Sequence, residues 1–144
     1  MAGNETTRHA ISHSMKALIE HPDALDRLRA DPSLLPVAIE EFLRAFAPVT
    51  MAREVVKETR INGCTFKPGQ MVLLSFPAAN RDPAMFADAD QVLIDRAENR
   101  HAAFGLGIHR CVGSNLARLE MTVAVEEFLK RIPEFSLAGD VAWS

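Results

Sequence analysis

The chain has 144 residues, the size of one ordinary domain, and its 48% of apolar residues suffices for one compact core. Its formal charge is −3 and its Lys and Arg residues are scattered, so it lacks the basic run that would point to nucleic acid or an anionic membrane. No stretch approaches the ~20 apolar residues of a membrane helix, the start Met1-Ala2-Gly3-Asn4-Glu5-Thr6 lacks the regions of a signal peptide, and two cysteines, Cys64 and Cys111, are too few for a disulfide framework. The expectation is a reduced, cytoplasmic protein with no membrane and no nucleic acid as partner.

Over residues 5 to 20, Ile11, Met15, Leu18 and Ile19 form an apolar stripe of helical period that stops at His21-Pro22. No capping residue precedes this helix, which reads as one entered partway along. A short helix is predicted around residues 23 to 29, ending at Asp31-Pro32. A longer one follows over about 33 to 46, with Leu35, Ile39, Phe42 and Phe46 on one side before Pro48. From Met51 to Ser75 the pattern turns to β, and Asn62-Gly63 between short β-prone runs predicts a hairpin within a small antiparallel sheet. Residues 80 to 103 show no regular period, and a long irregular loop in a compact domain is often functional. Val112, Leu116, Leu119 and Val123 restore helical spacing for a last helix reaching about Lys130, closed by Pro133. The fold class is mainly α with a small antiparallel β-sheet. The expected core includes Ile11, Met15, Leu35, Ile39, Phe42, Leu73, Phe104, Leu116, Leu119 and Val123.

The segment Phe104-Gly105-Leu106-Gly107-Ile108-His109-Arg110-Cys111-Val112-Gly113 sets a cysteine just ahead of that last helix, after glycines that let backbone approach a flat partner closely. Unpaired N–H groups at a helix N-terminus favour a thiolate, the form that binds iron. Taken alone, the same residues read more simply as a buried cysteine beside a glycine turn. A zinc site from His101, His109 and Cys111 lacks a fourth ligand at any typical spacing. Cys64, with no charged neighbour to activate it, reads as a packing residue.

The ten-residue string resembles the heme-binding loop of the cytochrome P-450 family, Phe-Gly-x-Gly-x-His-x-Cys-x-Gly, at all six fixed positions. The resemblance implies that Cys111 is the proximal ligand of the iron of heme b (iron protoporphyrin IX), that Gly105 and Gly113 belong to the cofactor-binding loop, that Phe104 packs beneath the heme and that His109 reaches a propionate. Three further matches follow the family's order. Glu41-Phe42-Leu43-Arg44, by itself an i,i+3 surface pair, resembles the family's Glu-x-x-Arg motif, whose third member would be Arg96 in a buried network. Ala2-Gly3-Asn4-Glu5-Thr6, otherwise a helix start, resembles the oxygen-activation segment, which implies a hydroxyl at Thr6 serving dioxygen and a part for Glu5 in proton delivery. Arg53, otherwise an exposed strand residue, stands where the family has an arginine paired with a propionate. Ala2, Gly3, Val49 and Thr50 would line the substrate pocket. His101 also fits the family pattern, and whether it does more than hydrogen-bond the irregular segment is left open.

The resemblance implies the C-terminal part of the cytochrome P-450 fold, with residues 1–144 a single partial domain truncated at both ends. It implies a heme-thiolate monooxygenase that takes dioxygen, an apolar small-molecule substrate and electrons from a ferredoxin-like donor. Its missing N-terminal half, or self-association, would have to cover the exposed side. The alternative is a non-catalytic heme-binding fragment or truncated scaffold that lacks the distal half.

Overall fold

The computed structural model describes residues 2–139. Helix α1 runs Ala2–Glu20 and α2 runs Pro22–Ala30, the break falling where Pro22 cannot donate a backbone hydrogen bond and instead starts α2. Asp31 ends α2, and its carboxylate accepts from the Ser33 amide (3.0 Å) and hydroxyl (2.6 Å), which winds Pro32–Leu34 into a single tight turn ahead of α3, Leu35–Ala45. The predicted helix at 33 to 46 is thus one 3₁₀ turn followed by α3.

Strands β1 (Thr50–Glu54) and β4 (Met71–Ser75) pair antiparallel, Thr50 opposite Ser75 and Glu54 opposite Met71. Between them β2 (Thr59–Ile61) and β3 (Cys64–Phe66) form the hairpin expected at Asn62-Gly63, whose φ angles of 48° and 84° are those of the tight turn this dipeptide favours. The one sheet expected is therefore two separate two-stranded ladders, one inserted in the connection of the other. Short α4, Phe76–Ala79, follows, and α5 spans Ser114–Arg131. Among the described residues no helix is long and apolar enough to cross a membrane.

The core is built where α1, α2, α3 and α5 meet, from Leu18, Leu28, Leu35, Ala38, Ile39, Phe42, Leu43, Met121 and Val125, with Ile94 added from the irregular segment. Each fully buried Leu, Ile or Phe contributes about 1.5–3 kcal/mol over its exposed state. Leu35, Ile39 and Phe42 are buried as expected, and Ile11, Met15 and Phe104 pack partly buried against the cluster.

Four expected core residues are not core. Leu73, Leu116, Leu119 and Val123 are all exposed. At 100° per residue, Leu116, Leu119 and Val123 share one side of α5, while Ser114, Met121 and Val125, which are buried, share the opposite side. Helix α5 is apolar on two faces, and periodicity alone could not say which faces inward. Cys64, expected to pack, is exposed on β3.

Candidate functional site

Among the described residues between Asn80 and Leu106 no helix or strand forms, yet the segment is compact. Buried loop backbone must find hydrogen-bond partners, and two arginines supply them. Arg44 donates to the carbonyls of Asn80 (2.8 Å), Ala89 (2.7 Å) and Gln91 (2.7 Å); Arg96 donates to those of Ala87 (2.6 Å) and Asp88 (3.2 Å). Phe86 and Ile94 anchor the same segment in apolar surroundings, Phe86 beneath the Arg44 guanidinium at 5.4 Å.

Both arginines converge on Glu41. Arg44 makes a bidentate pair with it (2.8 Å and 2.8 Å), Arg96 adds Nε at 2.9 Å, and the Leu93 amide (2.9 Å) and Asn99 amide (3.0 Å) complete its shell. The side chains of Arg44 and Glu41 are 0% exposed and that of Arg96 is 7% exposed. Burial pushes the Glu41 carboxyl up, but the bonds from Arg44, Leu93 and Arg96 outweigh it and hold it below its ordinary value. The structure brings together Glu41, Arg44 and Arg96, three residues that lie 55 positions apart at their extremes.

A fully buried residue that sequence reasoning passed over links this network to the cysteine loop. Asn80 donates to the Arg44 carbonyl (3.2 Å) and accepts from the Ala102 amide (2.7 Å). It stood in the sequence only as the first residue of an irregular stretch. A second tether was equally unread: Glu40, next to Glu41 on α3, pairs with both Arg118 of α5 (Nη2 at 2.8 Å) and buried His101 (3.0 Å). His101 Nδ1 accepts from the Ala103 amide at 3.2 Å, so its Nε2–H is the one that donates to Glu40. Burial pushes Glu40 up, and the bonds from Arg118 and His101 bring it down from 4.5 to about 2. His101 therefore holds the loop to α3, and among the described residues no three His, Cys, Asp or Glu form a group that could hold a metal ion.

The loop itself closes when the Cys111 amide donates to the Phe104 carbonyl at 2.8 Å. Gly105 and Gly107 adopt φ of +67° and +71°, left-handed values that side chains resist, and a single 3₁₀ turn, Gly107–His109, brings the chain back toward Cys111. A β-carbon at Gly105 would touch the Phe76 ring at 3.5 Å, and one at Gly113 would lie 3.8 Å from the Cys111 sulfur. Cys111 and His109 are exposed, and their neighbours Leu106 (73%), Ile108 (97%) and Val112 are apolar yet open to solvent.

Arg53, on β1, is exposed and turns its guanidinium onto the Ala52 carbonyl at 2.8 Å; among the described residues it meets no carboxylate. On α1, Glu5 pairs with Arg8 at 2.5 Å and approaches His9 at 3.7 Å, while Thr6 is exposed and Gly3 has open space where a side chain would stand. The side chain of Ala2 lies outside the described residues. Val49 is half-buried and Thr50 exposed at the start of β1. The arrangement offers a single thiol beside an apolar, solvent-open strip, with the Arg53 guanidinium on β1 meeting no carboxylate among the described residues. A planar apolar group with acidic edges and one open metal coordination position fits that donor set, because the sulfur needs no second protein ligand if the rest of the coordination comes with the group.

The family model described as Cytochrome P-450 matches residues 1–137. The chain is 44% identical to a steroid C26-monooxygenase of Mycolicibacterium smegmatis over 97% of its own length and 35% of that protein's, and 44% identical to the biotin biosynthesis cytochrome P-450 of Bacillus subtilis over 99% and 36%. A crystal structure of a P-450 with an acyl carrier protein ligated to hexadec-9Z-enoic acid superposes with a TM-score of 0.93 at 43% identity, covering 96% of this chain and 37% of that one. CYP109E1 from Bacillus megaterium in complex with testosterone gives 0.92 at 38% identity, with 96% and 39% covered. The chain spans about a third of the length of the curated relatives it matches.

Proposed function

The chain belongs to the cytochrome P-450 family, and from that premise we propose that residues 1–144 are the C-terminal heme-binding portion, a single partial domain, of a heme-thiolate monooxygenase. The observation that carries the reading is Cys111, an exposed thiol on a loop pinned from two helices and bordered by exposed apolar side chains. Exposed apolar strips of this kind mark surfaces that something covers.

Heme b bound there supplies dioxygen activation and oxygen insertion into a C–H bond, favoured by electron donation from the sulfur. The protein's own residues do the rest. Cys111 would hold the iron as a thiolate, and Gly105, Gly113 and Phe104 would contribute to the loop that receives the macrocycle. His109 and Arg53 take the propionates, for which Arg53 has its outward donors uncommitted to any carboxylate among the described residues. Thr6 and Glu5 serve proton delivery, Glu5 being held by Arg8 at the first turns of α1. The Glu41, Arg44 and Arg96 network keeps the loop in register with α3.

Ala2, Gly3, Val49 and Thr50 contribute to a pocket for an apolar substrate. A lipidic or steroid-like molecule is the class supported by the relatives' printed activities and ligands. A ferredoxin-like protein supplies the electrons. The exposed stripe of α5 supports completion of the fold by an N-terminal half; the same stripe favours, for the 144 residues standing alone, a heme-binding fragment without turnover.

The test is oxygen uptake by the full-length, heme-loaded protein with a ferredoxin and its reductase, offered free fatty acids, acyl carrier protein thioesters and steroids. The reading expects hydroxylated product from at least one class, lost in Cys111→Ala. Absence of product from every class, or equal product in Cys111→Ala, would contradict it.

A further inference from the structure

The heme-thiolate reading gives Cys111 its chemistry, and the inference drawn here rests on that reading; what it adds is the means by which the sulfur is held in place. Arg118 lies seven residues beyond Cys111 on α5, and its guanidinium does three things at once. It makes a two-pronged pair with Glu40 on α3, Nε to one carboxylate oxygen and Nη2 to the other at 2.8 Å. Its Cζ lies 4.6 Å from the centroid of the Phe104 ring. Its Nη1 also donates to the Ser114 carbonyl at 3.3 Å in the first turn of its own helix.

The His101 ring centroid lies 6.2 Å from that of the same Phe104 ring, and His101 is tied to Glu40 by its Nε2 at 3.0 Å. Phe104 therefore has beside it two side chains that share one anchor on α3. Its carbonyl, in turn, accepts the Cys111 amide at 2.8 Å. An unbroken line of contacts runs from Glu40 through Arg118 and His101 to Phe104 and on to the cysteine backbone.

We propose that Arg118, together with Glu40 and His101, is a positioning residue for Cys111: it fixes the Phe104 ring and, through the Phe104 carbonyl, the place of the sulfur under the iron. The geometry explains why an arginine stands there. A flat guanidinium can pair bidentately in its own plane while its face lies on an aromatic ring, whereas an ammonium group gives a point charge that does only one of these. The pair also joins α3 to α5 beside the loop, so both ends of the Phe104 to Cys111 segment refer to the same two helices. Arg118 is about a quarter exposed, and its donors are spent inward on Glu40 and Ser114.

The experiment compares Arg118→Lys, Glu40→Gln and the double variant with wild type in the full-length heme-loaded protein. Each is reduced under carbon monoxide, and the ratio of the red-shifted Soret band, which reports thiolate ligation, to the unshifted band is followed during incubation at a fixed temperature. Far-UV circular dichroism and heme per chain are measured on the same samples.

Conversion to the unshifted band at least fivefold faster than wild type in both single variants, with the dichroism unchanged, is the expected result. The double variant should convert no faster than the worse single, because both changes break one contact chain. Wild-type conversion in both singles would overturn the proposal. So would variants that lose stability while their folded fraction keeps the wild-type band ratio, which would make the clamp structural only. A wild-type protein that never shows the shifted band would instead defeat the heme-thiolate reading on which the proposal stands.

Discussion

Replacing Glu41 by glutamine keeps the shape of the side chain while removing its charge and one of its two acceptor oxygens, which tests what the buried carboxylate does. In the structure that carboxylate accepts five hydrogen bonds, from Arg44 twice and from Arg96, Leu93 and Asn99 once each. A glutamine offers one oxygen in place of two and turns an amide N–H₂ toward donors, so at least two of the five are lost. Arg44, 0% exposed, is then a buried cation without an anion. Breaking a buried pair from one side costs about 3–5 kcal/mol, most of it the stranded charge. With a urea slope of at least about 3 kcal/mol per molar for a protein of full length, the unfolding midpoint should fall by on the order of 1 M. The assay is urea unfolding of the full-length protein followed by far-UV circular dichroism. A loss below about 1 kcal/mol, the worth of an exposed pair, would refute the claim that this network holds the irregular segment.

Three further outcomes are expected. Asn80→Ala leaves the Ala102 amide and the Arg44 carbonyl without their partner; it should cost about 2–3 kcal/mol and speed hydrogen exchange at Ala102, and unchanged exchange there would contradict its role as the joint. Glu40 has a folded value of about 2 against an ordinary 4.5, so the stability it adds is fully present above pH 4.5 and is lost as pH falls toward 2. Glu40→Gln should therefore flatten the acid side of the stability profile between those limits, and an acid limb as steep as wild type would show that the pair contributes nothing. Leu119→Gln should cost about 1–2 kcal/mol in the full-length protein, although Leu119 is exposed here; a neutral effect would mean that this face of α5 stays in water.

Much of the architecture was legible because its signals are local. The Pro22 break, the Asn62-Gly63 turn and the apolar spacing of Leu35, Ile39 and Phe42 each depend on residues within one or two turns of each other. The inner face of α5 was not legible, since Leu116, Leu119 and Val123 obey the same period as a core stripe while Met121 and Val125 on the other side do the packing. Which stripe is buried depends on what lies against the helix, and local sequence carries no record of that.

At the site, Cys111 and the Glu41, Arg44 and Arg96 set could be named only because their stretches of sequence resemble the family's motifs. Asn80, Glu40 and Arg118 could not. Each is a single polar residue whose partner lies 22 to 78 positions away, and only the folded chain brings Asn80 to Ala102, Glu40 to His101 and Arg118 to Glu40. A faint signal existed: Glu40-Glu41 is a doubled acid on a helix whose other face is apolar, and both carboxylates turn out to be paired inside.

The account turns on Cys111 holding iron through sulfur. The most direct measurement is the absorption spectrum of the full-length protein loaded with heme, reduced and exposed to carbon monoxide, for wild type, Cys111→Ala and Cys64→Ala. A strongly red-shifted Soret band in wild type and in Cys64→Ala, absent from Cys111→Ala, is the predicted result; an unshifted band in wild type, or a shifted band that survives Cys111→Ala, would contradict the account.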